Sequence, residues 1–76
     1  MIKFSEIETL IRAAIPDAKV EVSDTTGTGD HFEIHVVSKK FENKSLIDQH
    51  KMVFAALQNE MDDRIHAVKL KTRIPG

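Results

Sequence analysis

The run from Ser45 to Met61 constrains this chain more than any other stretch. It contains no glycine or proline, and its large apolar residues fall at Leu46, Ile47, Val53, Phe54, Leu57 and Met61. At about 100° per residue these cluster on one side of a helix. Gln49, Lys51, Gln58, Asn59 and Glu60 take the flanks or the opposite side. Ser45 stands ahead of the run as a natural N-cap, and Asp48 three residues on comes close to a capping-box pattern. His50 interrupts the pattern, because it points into the apolar stripe between Leu46 and Val53. A histidine so placed is expected to be structural, buried and held by a hydrogen bond. This is the only long amphipathic segment, so any sheet in the chain must cover it.

The remaining elements follow in order. Ser5-Glu6-Ile7-Glu8 has the S-x-x-E form of a capping box, and Ile7, Leu10, Ile11 and Ala14 follow at helical spacing. We expect a helix from about Glu6 to Ala14, stopped by Pro16. Ala18 to Asp24 alternates, with Ala18, Val20 and Val22 on one face of a half-buried strand. Thr25 to Asp30 is a loop with two glycines. In the next strand Phe32, Ile34 and Val36 share one face, and His31, Glu33, His35 and Val37 the other. The two strands should form an antiparallel hairpin. Phe41 pins a polar connection to the core, with a short turn of helix near it. Asp62-Asp63 should end the long helix. Arg64 to Thr72 reads as a third strand, with His66, Val68, Leu70 and Thr72 on one face. A crossover through a helix makes the second and third strands parallel and favours a right-handed connection. The result is a two-layer α+β domain with both helices on one face of a three-stranded mixed sheet. Parallel strands begin at the same end, so His66, His31 and Thr25–Asp30 should gather at one edge.

Composition excludes several functions. The chain of 76 residues is one domain, and at this length only roughly 60% of the unfolded surface is buried. There is no cysteine, which removes thiol catalysis and thiolate metal sites. That fits a reducing compartment, and we expect a cytoplasmic location. No apolar run approaches the ~18 residues of a membrane span, and the start does not open a signal peptide. The initial methionine without a tag suggests a complete small protein that works through partners. A net charge of −1 gives no global field that attracts nucleic acid.

Chemistry-bearing residues are few. No spacing implies a nucleophile, base and orienting group, so an enzyme is not expected. Of the four histidines, His35 is expected mid-strand on the solvated face. His66 and His31 would meet at a glycine-flanked rim, where imidazoles could ligate a metal if a partner completed the site. Gly27-Thr28-Gly29 resembles a phosphate loop but opens no helix. Lys69, Lys71 and Arg73 alternate onto the open sheet face and could contact phosphates. With no Trp or Tyr, and phenylalanines that mostly look buried, base stacking has little support.

Certain segments together resemble the BolA family. They are His31-Phe32-Glu33-Ile34, Val36-Val37-Ser38 followed by Phe41, Gln49-His50-Lys51, and Ile65-His66-Ala67-Val68-Lys69-Leu70-Lys71-Thr72, with Pro75 beyond. The resemblance implies a single BolA-like domain over residues 1–76 with a class II KH-like fold, of α-β-β-α-(α)-β order. It implies an adaptor for a monothiol glutaredoxin, with a 2Fe–2S cluster bridging the two proteins and glutathione, and none expected when the chain is isolated. Sulfur would come from the glutaredoxin side, and His66 would be the ligand from this chain. The second ligand in such relatives is a Cys or His of the first strand loop. Here that loop carries Thr28 and Gly29, Thr28 is a poor iron ligand, and His31 is the nearest imidazole. Glutaredoxin contact is expected to involve Thr28, Gly29, Lys69, Lys71 and Arg73. The competing reading is a nucleic-acid-binding transcriptional regulator. The Phe41–Ser45 connection, however, lacks the Gly-x-x-Gly with which KH modules grip a backbone.

Overall fold

Helix α1 runs Phe4–Ala14 and buries Ile7 and Ile11. The computed structural model describes residues 2–24, 31–60 and 67–76. The helix starts two residues earlier than the S-x-x-E pattern implies. The backbone N–H of the N-cap, Lys3, donates to Glu6 Oε1 at 3.4 Å, so Glu6 takes the reaching-back role expected of Glu8. Glu8 instead meets Arg12 one turn on, at 3.4 Å. Starting early brings Phe4 into the helix, where its ring sits edge-on to Phe32 with centroids 5.8 Å apart. At the other end Ile15 N–H still donates to Ile11 O, and Pro16, lacking an N–H, cannot continue the ladder.

Strands β1 (Lys19–Asp24) and β2 (His31–Val37) pair antiparallel, and β3 (Ala67–Arg73) pairs parallel to β2, giving the order β1-β2-β3. Parity holds as alternation requires. Val20 lies opposite Val36 and Val22 opposite Ile34, while Phe32 meets Val68 and Ile34 meets Leu70. Arg64 to His66, expected to begin β3, lie outside the described residues, and so does the loop 25–30.

Between β2 and the second helix a single 3-10 turn, Lys39–Phe41, drops the fully buried Phe41 into the core. Asn43 follows at φ 62°, a left-handed conformation that asparagine tolerates better than most residues. Helix α2 spans Leu46–Leu57, and Ser45 caps it as expected by accepting from Asp48 N–H at 3.1 Å. It ends in a turn at residues 58–60, short of the Met61 limit read from the pattern; Met61 and Asp62-Asp63 lie outside the described residues. Val53 and Leu57 are fully buried, with Ile7, Ile11, Ile34 and Val36, in one core between helices and sheet.

The apolar stripe of α2 is shorter than its periodicity implies. Leu46 is 59% and Ile47 68% exposed, so the first turn stands beyond the core. The tie to the sheet comes one turn later, where Thr72 Oγ1 donates to Gln49 Oε1 at 2.7 Å.

A polar node joins the two ends of the β1–β2 hairpin to the turns around it. Ser38, completely buried, donates from Oγ to Asp17 Oδ1 at 2.6 Å and accepts from Lys40 N–H at 3.0 Å. Asp17 Oδ2 accepts from Lys39 N–H at 2.9 Å. The Ser38 hydroxyl, and after it the Lys39 amide, hold the Asp17 carboxyl below its ordinary value.

Candidate functional site

The parallel ladder decides which residues share an edge. Its register sets Ala67 against His31. His66 directly precedes Ala67 in the chain, and the loop carrying Thr28 and Gly29 directly precedes His31. Those three residues lie outside the described ones, so the register of their chain neighbours is what bears on the expected rim. His31 is half-buried at the start of β2. Among the described residues no group of three or more His, Cys, Asp or Glu is placed to hold a metal ion. With no cysteine in the chain, its donors toward an iron–sulfur cluster are imidazoles. Such a donor set fits one side of a cluster shared with a sulfur-bearing partner, and not a closed site within this chain.

The open sheet face is a grid set by the strand register. Its rows read Lys19, Val37, Arg73, then Glu21, His35, Lys71, then Ser23, Glu33, Lys69. Lys69, Lys71 and Arg73 are exposed, as alternation implies, and form a cationic column along β3. Lys71 Nζ approaches Glu33 Oε1 at 3.8 Å, a solvent-screened pair of little energetic weight. His35 is not the open surface residue expected. It is half-buried and lines two depressions of about 360 and 260 Å³, one bounded by Lys19, Val37 and Arg73 and the other by Ser23, Glu33 and Lys71. Central position in the sheet explains this, since flanking side chains from both neighbouring strands rise around it.

His50 also departs from expectation. It faces the core side as expected, yet its Nε2 is buried with no hydrogen-bond partner among the described residues. Its ring instead lies edge-on to Phe54, with centroids 6.4 Å apart. The spacing that turns His50 toward the stripe brings it to carbon rather than to a polar group.

Sequence reasoning missed the Asp17–Ser38 node. Its partners are separated by 21 positions, and no local pattern pairs them. The one available signal was the serine closing Val36-Val37-Ser38 ahead of Phe41.

Two helices packed on one face of a three-stranded mixed sheet, with the last strand added in parallel through a helical crossover, define a class II KH-like domain. Comparison with known proteins narrows this. The BolA-like protein family matches residues 9–76. The chain is 39% identical over 72 residues to Protein BOLA2 of Arabidopsis thaliana, covering 93% of this chain and 76% of that protein. It is 30% identical over 73 residues to the DNA-binding transcriptional regulator BolA of Escherichia coli, covering 87% and 70%. The crystal structure of a Bol-like protein from Babesia bovis superposes with a TM-score of 0.84 at 32% identity, covering 100% of this chain and 88% of that one. The chain belongs to the BolA family.

Proposed function

We propose that this protein is a non-enzymatic adaptor that binds a monothiol glutaredoxin and shares a bridging 2Fe–2S cluster with it, in iron–sulfur trafficking or iron and redox regulation. The observation that carries the reading is the β2–β3 register. His31 stands opposite Ala67, so β2 and β3 begin at the same end of the sheet, and in the sequence His66 directly precedes Ala67 as the glycine-bearing loop precedes His31. When bound, the cluster would take sulfur from the glutaredoxin and glutathione. His66 would be this chain's principal ligand, and His31 the candidate for the second. With no cysteine, the isolated chain carries too few soft ligands to hold iron and is expected to be colourless.

The test is a titration with a monothiol glutaredoxin and glutathione, with and without iron and sulfide, followed by visible circular dichroism. His66→Ala should alter the spectrum and shorten the cluster's lifetime. His35→Ala, removed from that edge, is the control. An unchanged spectrum and half-life in His66→Ala would refute the assignment.

A second reading, nucleic-acid binding, is favoured by the cationic column Lys69, Lys71 and Arg73, and by the name of the Escherichia coli relative.

A further inference from the structure

Strand β3 is an edge of the described sheet, and its two sides are chemically different. On the open face stand three cations at every second position, Lys69, Lys71 and Arg73, all exposed. Among the described residues neither Lys69 nor Arg73 has an ion-pair partner. On the helix side Val68 and Leu70 are only partly buried, whereas Phe32 and Ile34, their partners on β2, are buried. The backbone direction is also determined. Ser38 N–H donates to Arg73 O at 3.1 Å, so Arg73 turns its peptide groups toward β2. Alternation along a strand then turns those of Lys71 and Lys69 the same way, and leaves those of Val68, Leu70 and Thr72 pointing outward.

We propose that β3 accepts an extended peptide as a fourth strand, and that the partner segment alternates acidic and apolar residues. Its acidic side chains would lie beside Lys69, Lys71 and Arg73, and its apolar ones would complete the cover over Val68 and Leu70. Each half of the pattern follows from one side of β3, and period-two alternation is what lets a single strand answer both. The same charges argue against a second copy of this chain using β3 against β3, because three cations would face three cations. Peptide capture of this kind needs no metal, so it stands or fails separately from the cluster reading.

The test uses the full chain labelled with ¹⁵N and a synthetic acetylated, amidated peptide of alternating Glu and Val, matched to the seven residues of β3. We expect saturable binding, shifts in the amides of 67–73, and slowed hydrogen exchange at Val68, Leu70 and Thr72. The double charge reversal Lys69→Glu with Arg73→Glu should keep the circular dichroism spectrum and weaken binding by at least about tenfold, since like charges then face each other. A block-sequence peptide of the same composition should bind more weakly, because it cannot present acid to one side and valine to the other. Equal binding by the block peptide, or shifts without new protection at those three amides, would overturn strand addition. A single-stranded oligonucleotide of equal charge that binds more tightly and moves the same amides would overturn the choice of partner.

Discussion

Leu46 and Leu57 allow a controlled test of where the core ends. Both are leucines of α2, but Leu57 is 0% and Leu46 59% exposed. Truncating Leu57 to alanine removes three buried carbons. At about 0.8 kcal/mol per methylene the transfer loss alone is about 2.4 kcal/mol. The incompletely closed cavity raises it, so about 3 kcal/mol is expected, within the usual span of about 2–5. A domain of 76 residues has only about 4–11 kcal/mol in total. The melting temperature should therefore fall by about 12–24 °C, at about 4–8 °C for each kcal/mol. Leu46→Ala deletes the same atoms and should stay within about 0.5 kcal/mol of the parent. Urea unfolding followed by far-ultraviolet circular dichroism is the appropriate assay, because the chain has no Trp or Tyr to report by fluorescence. With a slope near about 1 kcal/mol per molar, the Leu57→Ala midpoint should drop by about 3 M and the Leu46→Ala midpoint by less than about 0.5 M. Comparable losses from the two truncations would refute the burial argument.

Other outcomes follow from the polar node, the helix cap and the cations. The folded state lowers the Asp17 pKa, so its contribution is present above the ordinary carboxylate range and lost as pH falls through the depressed value. Asp17→Asn should thus reduce stability at neutral pH and flatten its decline in acid, as urea midpoints from about pH 6 to about pH 2 would show. An unchanged acid limb would count against the node. Ser45→Ala removes the acceptor for Asp48 N–H and should cost about 1 kcal/mol, read from the same unfolding curves. DNA binding should be weak and nonspecific, should collapse between about 50 and 200 mM salt, and should depend on Lys69, Lys71 and Arg73. A sequence-specific complex that persists at physiological salt, in a filter-binding or shift assay, would reverse the ranking of the two functions.

Much of the fold was legible because each strand declares its parity and each helix its spacing. Val20, Phe32, Ile34 and Val36 alternate into the core, and the helical crossover alone dictated a parallel β3. What spacing reports is azimuth, not height. Leu46 and Leu57 are eleven positions apart and fall within about 20° of each other around the helix. Only one of them has a layer beneath it, because the first turn of α2 runs past the core. The same gap explains His50: periodicity gave its direction, but whether a polar group waits there depends on residues distant in the chain. For the candidate edge, that β2 and β3 begin at the same end follows from topology and was open to inference from the sequence, whereas the exact pairing of His31 with Ala67 was not. The Asp17–Ser38 bond was not, since it joins two turns that meet only after the hairpin has formed.

The parallel pairing of β3 also sets an order of assembly. β1 and β2 are separated by six residues, whereas β3 reaches β2 only after the 29 residues from Ser38 to His66. Closing the longer loop costs about 1.4 kcal/mol more in chain entropy, so the hairpin should form early and β3 should dock late. By the same reasoning β3 should detach before the rest of the sheet opens, and native-state hydrogen exchange should show Lys69 and Lys71 amides opening more easily than that of His35, which by the same alternation faces β1. Equal opening energies would contradict this. If it holds, the strand that offers its outer edge to a partner is also the one least firmly moored, and a bound peptide would act as a clamp on the fold's last step.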